Sequence, residues 1–132
     1  MKPFMVLTAV CAIGFASMTP AAAAPQTSTT YSGPADYQVF CASCHGPSAK
    51  GDGVLAGSLR RRPADLTQLS NKNDGTFPGE SVFKTIEAGH EKADMPAWSV
   101  VFAKSQDSAG EDAAKERIRG LVKYLETLQP KR

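Results

Sequence analysis

The sequence predicts an all-α fold, and three observations point to it. Ala114, Ile118, Leu121, Val122, Leu125 and Leu128 recur at the three- and four-residue spacing of one helix face. Shorter stretches around Tyr37 and around Val82 carry the same period. No run alternates polar and apolar residues for long enough to make a strand. At 132 residues the chain suits one small domain and is too short for two full ones.

Residues 1–24 stand apart from that fold and read as a signal peptide. Lys2 supplies a positive start, Phe4 to Met18 are apolar apart from Thr8 and Ser17, and Ala21 to Ala24 offer the small residues that signal peptidase requires. Cleavage after Ala23 or Ala24 leaves a mature chain of about 108 residues and predicts an exported, periplasmic protein in a bacterial context. Phe4 to Ala24 is also, at roughly 20 residues, long enough for an uncleaved anchor. Val10 before Cys11 disfavours a lipid-modified cysteine, since lipoprotein signals carry a small residue there. Residues 25–31 are polar and turn-forming and make a flexible lead-in, and the folded domain occupies 32–132.

Within that domain, Ser32-Gly33-Pro34 opens a helix, with Asp36 at its positive end and Tyr37, Phe40 and Cys41 at helical spacing. Gly46 and Pro47 end it, and glycines at 46, 51, 53 and 57 mark a folded loop able to lie against something flat. Pro63 to about Ser70 make a short turn or helix, followed by a loop from Asn71 to Pro78. Gly79 to Glu87 read as a helix with Val82, Phe83 and Ile86 on one face and Gly89 just past its end. A loop bearing His90, Met95 and Pro96 leads towards the last helix, which Ser108 and Glu111 start with a capping box and Pro130 follows. Gly120 inside that helix costs about 1 kcal/mol relative to Ala, which suggests a close helix crossing there.

Bulk charge excludes little but excludes it clearly. The balance of 15 Lys+Arg against 13 Asp+Glu is too weak for a general nucleic-acid binder, whose footprint is a strongly basic face. With 21% charged and 42% hydrophobic residues the chain is neither a disordered acidic segment nor a membrane bundle. Loss of Lys2 with the leader leaves 14 basic against 13 acidic residues, so the mature polypeptide is near neutral. The same cut removes Cys11, Met1, Met5 and Met18, leaving Cys41, Cys44 and Met95, with His45 and His90 as the histidines.

Short helices and long loops bury little apolar surface in a domain of this size, so an added staple is expected. Two cysteines three positions apart cannot tie distant parts of the chain together, whereas a large buried cofactor supplies the missing core. Cys41-Ala42-Ser43-Cys44-His45 is the Cys-x-x-Cys-His attachment signature for c-type haem. On one helical turn the two thiols reach the two vinyl groups of a porphyrin, and the adjacent imidazole comes beneath the iron. A thioredoxin-like dithiol wants a βαβ surround, and a zinc site wants a second ligand pair where only His90 is left; a plain disulfide stays open in an exported chain.

With His45 as proximal ligand, Met95 and His90 compete for the other face of the iron. Met95 is favoured: Pro96 stiffens its loop, and a neutral thioether is a known partner of haem histidine that raises the potential. Gap-filling in the core is its alternative, and for His90 a surface position just beyond a helix end is favoured over ligation. Iron held on both faces offers no open position to a substrate, which leaves one-electron transfer.

Residues 33–128 resemble the class I c-type cytochromes, through Cys41, Cys44, His45 and Met95 together with Gly33, Tyr37, Leu121 and Tyr124. The resemblance implies a small cytochrome c-like domain of three to five helices around one covalently bound haem c. It also implies a crossing of the first and last helices at which the glycine allows close approach. Pro63 and Leu66 resemble the family's proline-leucine segment, whose proline carbonyl accepts the ring proton of the proximal histidine. Here Pro63 lies 22 positions after Cys41 and the segment carries one extra residue. Cys-His-Gly, Pro-Ala-Asp-Leu and Met-Pro-Ala-Trp are further similar to haem subunits that serve bacterial oxidases and dehydrogenases.

Arg60, Arg61 and Arg62 form the concentrated basic run, read as a solvated loop or as one arginine, Arg60, on a haem propionate with the others facing an acidic redox partner. Trp98 reads as packing in the core or the haem wall rather than an electron relay. Three functions compete. An exported shuttle between redox-partner proteins (oxidase, reductase or dehydrogenase) leads, with membrane contact only through a partner or an uncleaved anchor. A dedicated haem subunit of a larger oxidoreductase comes next, and a haem enzyme or gas sensor with a labile sixth ligand third.

Overall fold

The structure, a computed structural model, describes residues 33–105 and 110–131. The leader, the lead-in, Ser32 and the Ser108 half of the expected capping box lie outside the described residues. Five α-helices follow in order: α1 (Gly33–Phe40), α2 (Ala42–His45), α3 (Gly79–Ala88), α4 (Trp98–Ala103) and α5 (Gly110–Thr127). Short 3₁₀ turns stand at Ala56–Ser58, Leu66–Gln68 and Glu91–Ala93. The described residues contain no strand beyond an isolated His90–Met95 bridge, so the all-α expectation holds.

The 18-residue α5 is the frame of the domain. Its stripe of Ala114, Ile118, Leu121 and Leu125 is buried, and α1, α3 and α4 all pack against it. The crossing with α1 is very close: a Cβ built on Gly33 would stand 2.2 Å from the Gly120 carbonyl oxygen. A Cβ on Gly120 would meet Gly33 atoms at 3.7 Å or more, which is ordinary contact. Gly120 therefore sits at the expected crossing, but the residue that must be glycine is Gly33.

One turn further along, Asp36 and Arg117 form a buried bidentate pair, Arg117 Nε donating to Oδ2 at 2.9 Å and Nη2 to Oδ1 at 2.7 Å. The guanidinium carbon lies 4.8 Å from the Phe40 ring centre and 4.4 Å from that of Phe102, so apolar rings cover the charge. Tyr37 packs on Tyr124 with ring centres 5.3 Å apart, and its hydroxyl donates to the Gly46 carbonyl at 2.7 Å. The crossing is thereby wired directly to the turn that bears Cys41, Cys44 and His45.

Sequence periodicity located α3 and α5 well and treated α1 and α2 as one helix, which the structure interrupts at Cys41. It missed α4. Trp98-Ser-Val-Val-Phe-Ala is short and carries two adjacent β-branched residues, so local propensity offers little. The helix is held by packing: Trp98 and Phe102, at i and i+4, both meet the Phe40 ring edge to face, and Ser99 Oγ donates to the Glu87 carbonyl near the end of α3.

Two stability predictions follow from these contacts. Gly33→Ala should lower stability by about 1–3 kcal/mol through overpacking, whereas Gly120→Ala should be neutral or gain up to ~1 kcal/mol; thermal unfolding of the two variants decides between them. Asp36→Ala and Arg117→Ala should each cost about 3–5 kcal/mol because each strands a buried charge, and the double variant should lose less than the sum, as a double-mutant cycle would read.

Candidate functional site

The Cys-x-x-Cys-His turn is held by its own backbone and by the glycine-rich loop behind it. Cys44 and His45 amides donate to the Cys41 carbonyl at 3.1 and 2.9 Å. The returning loop then closes on the turn as Gly51 N–H reaches His45 O, Gly53 N–H reaches Cys44 O and Leu55 N–H reaches Ser43 O, at 2.8–3.1 Å. The loop thus lies against the turn itself, which leaves the opposite side of the turn to face the interior.

That interior is a cavity of about 460 Å³ between the turn, the 61–69 segment, α3, the 90–98 segment and α5. Cys41, Cys44, His45, Met95, Trp98 and Pro63 all line it, so the structure brings six of the seven residues singled out from the sequence to one place. Most of the remaining wall is aliphatic or aromatic, with Val82 and Ile86 from α3 and Leu121 and Leu125 from α5. Trp98 serves as wall and packing together, its ring 5.6 Å from that of Phe40 and 5.4 Å from that of Phe102. His90 also lines the cavity, though it is otherwise exposed.

The seventh residue is placed differently. Arg60 turns to Asp94, its Nε 3.0 Å from Oδ1, and it is Arg61 and Arg62 that reach the cavity, both exposed at its rim. A consecutive run of three arginines carries no signal as to which side chain turns inward.

The hydrogen bond to His45 is likewise displaced by one position. His45 Nδ1 lies 3.1 Å from the carbonyl oxygen of Ala64, while the Pro63 carbonyl points at Gly51, 2.3 Å from where a Cβ would stand. The extra residue in this segment shifts the acceptor by one. Since a carbonyl only accepts, Nδ1 carries the proton and Nε2 keeps its lone pair for a ligand. Burial pushes the His45 pKa below its ordinary value of 6.5, outweighing the opposing hydrogen bond to Ala64, and so favours the neutral imidazole.

Cys41 and Cys44 are unbonded thiols. Burial, reinforced by the charge of Asp36 and by Cys44, pushes the Cys41 thiol up to about 12, which makes it a protonated, apolar-walled thiol rather than a reactive thiolate. Among the described residues no three His, Cys, Asp or Glu side chains gather in a way that would hold a metal ion by themselves. The donor set therefore fits a haem c: two adjacent thiols, a neutral imidazole with Nε2 unprotonated, a thioether, apolar walls and two guanidinium groups at the rim.

Comparison with known proteins agrees with this geometry. Among solved structures the fold is similar to a chain of the Kuenenia stuttgartiensis reducing HAO-like protein complex, with a TM-score of 0.53 and 22% identity. The match covers 74% of this chain and 41% of that one, so the chain spans about two fifths of its structural relative, and the likeness is one of fold. No curated protein matches the chain. The family model described as cytochrome c oxidase, cbb3-type, subunit III matches residues 28–125, a span that includes the Cys-x-x-Cys-His turn, the cavity and the α1–α5 crossing, and the chain belongs to that family of class I-like monohaem c-type cytochrome domains.

Proposed function

We propose that the chain is an exported monohaem electron carrier, with haem c joined through thioether bonds to Cys41 and Cys44 and with His45 and Met95 on the two faces of the iron. Family membership makes it a haem c electron-transfer domain. The observation that carries the finer reading is the convergence of Met95, far along the chain, on the cavity of Cys41, Cys44 and His45.

Bound there, haem supplies a one-electron couple between ferric and ferrous iron. His45 presents Nε2 because the Ala64 carbonyl holds the proton of Nδ1 and fixes the ring plane. Met95 offers a neutral, soft donor on a loop that the His90 bridge and Pro96 stiffen. Val82, Ile86, Leu121 and Leu125 exclude water, which limits the solvent rearrangement that a change of charge demands. Arg61 and Arg62, exposed at the cavity rim, would pair with the propionates of a bound haem in the role first read for Arg60, and would also suit an acidic redox partner. His45 and Met95 would together hold the iron and leave it no open position for a substrate, so the domain would serve electron transfer. The leader over residues 1–24 supports a periplasmic location.

One observation favours a second reading, a dedicated haem subunit within a larger oxidoreductase. Val54 is 91% exposed and Leu55 47%, both on the loop that hydrogen-bonds to the Cys41–His45 turn. Apolar side chains on such a loop suit a lasting contact better than a brief encounter. Stable co-purification with a partner, lost in Val54→Ser/Leu55→Ser, would select this reading over the free shuttle.

The optical spectrum of the mature protein tests the ligation. Low-spin ferrous bands and the weak far-red sulfur-to-iron band in the ferric form are expected, the latter abolished by Met95→Ala and retained in His90→Ala. A parent spectrum that is low-spin but lacks the band, and that changes in His90→Ala and not in Met95→Ala, would transfer ligation to His90, and a high-spin haem that binds carbon monoxide without denaturant would point to a catalytic or sensing haem. Intact mass should show one covalent haem per chain, absent from Cys41→Ser/Cys44→Ser; haem retained covalently in that variant would refute attachment through these thiols.

A further inference from the structure

We infer that residues 60–64 form a strap that sets the position of Met95 relative to His45, fastened by the Asp94–Arg60 pair; this rests on the His45/Met95 ligation proposed above. Asp94, immediately before Met95, uses both carboxylate oxygens on one residue. Oδ2 accepts the Arg60 backbone N–H at 2.8 Å and Oδ1 faces Arg60 Nε at 3.0 Å. Four positions on, the same segment presents the Ala64 carbonyl to His45 Nδ1 at 3.1 Å. Five consecutive residues thus touch the neighbourhood of both candidate ligands. Between these two ends Arg61, Arg62 and Pro63 line the cavity, and Pro63 restricts the backbone. Beyond Ala64 the segment is anchored by Leu66 N–H on the Ala49 carbonyl at 2.8 Å.

The other bonds that shape the Met95 loop are internal to it. His90 N–H reaches Met95 O at 2.9 Å and Met95 N–H reaches His90 O at 3.2 Å, so the backbone of Met95 is held on both sides by a residue five positions back. A Cβ on Gly89 would stand 2.5 Å from the Pro96 carbonyl carbon, which packs the start of the loop on its end. These contacts stiffen the loop from within, and none of them joins it to the turn of His45. The Asp94–Arg60 pair reaches across 34 positions of sequence and ties the loop to the strap.

Asp94 also adopts a left-handed conformation, φ 57° and ψ 23°, which few residues other than glycine, asparagine and aspartate tolerate. Its carboxylate is 27% exposed and the Arg60 side chain 69%, so the ion pair is the weaker half of the fastening. The backbone N–H donated to a charged oxygen is the stronger half. That division predicts an order among variants. Asp94→Gly keeps the left-handed turn and loses both bonds, whereas Arg60→Ala keeps its N–H and loses only the guanidinium.

The test is an imidazole titration of the ferric holoprotein, following loss of the far-red sulfur-to-iron band as imidazole displaces Met95. Asp94→Gly should bind imidazole roughly tenfold more tightly than the parent, as expected for loss of charge-assisted hydrogen bonds. Arg60→Ala should gain about two- to threefold, and the double variant no more than Asp94→Gly, because the guanidinium acts through Asp94. Parent-like imidazole affinity in Asp94→Gly, with the band still abolished by Met95→Ala, would overturn the strap and leave the ligation standing. A double variant whose gain equals the product of the single gains would overturn the pairing. A parent protein without the band, or a band that survives Met95→Ala, would overturn the ligation and the strap together.

Discussion

The domain depends first on how closely α1 approaches α5. With Gly33 against the Gly120 carbonyl, the two backbones come nearer than any side chain at position 33 would allow. That approach brings Asp36 to Arg117 in a dry bidentate pair and lays Tyr37 on Tyr124. The Tyr37 hydroxyl, bonded to the Gly46 carbonyl, then fixes where the Cys-x-x-Cys-His turn stands relative to the frame. The buried charges are costly on their own and are tolerated because the fork geometry is complete and Phe40 and Phe102 enclose the guanidinium. Register at the crossing is what such a pair specifies well, since a shift of one residue would strand two charges at once.

The rest of the fold encloses a space rather than filling one. Tyr37, Phe102, Ile118 and Leu121 are the largest fully buried side chains, while Val82, Met95, Trp98 and Val122 are only partly covered. A chain of this length has little apolar surface to spare, and here much of it faces the cavity. A large apolar group joined to two thiols would complete that core, so attachment chemistry and stability serve the same end. The neutral His45 imidazole and the protonated Cys41 thiol have one physical origin, removal from water, which disfavours the charged form of either group.

Two backbone segments of different origin meet at the mouth of the cavity. Residues 60–64 orient the ring of His45 through a carbonyl and hold Asp94 through an amide and a guanidinium. The loop from His90 to Pro96 is stiffened by its own bridge. Apart from the 3₁₀ turn at Glu91–Ala93, neither segment is regular secondary structure. Each contains a proline, Pro63 in one and Pro96 in the other, the second also has the left-handed Asp94, and both depend on bonds that only the folded chain can make.

Much of the fold and the site was legible because the information is local. The Cys41–His45 motif places three functional groups on one turn, and the apolar periods of α3 and α5 are written in contiguous residues. Gly89 marks a helix end by its own chemistry, and Met95 stands out as the one methionine after residue 24. What required the tertiary structure rests on partners distant in sequence. The helix α4 exists because Trp98 and Phe102 find Phe40; Gly33 rather than Gly120 bears the crossing because the approach is asymmetric. Ala64 rather than Pro63 accepts the hydrogen bond from His45 Nδ1 because one extra residue shifts the carbonyls, and Arg60 leaves the cavity to Arg61 and Arg62 because Asp94 captures it. The sequence by itself determined the chemistry that a single turn can hold and the helices whose apolar period is unbroken. The folded chain decided which carbonyl, which arginine and which glycine serve that chemistry, because those choices are distances between segments, and no local pattern encodes a distance.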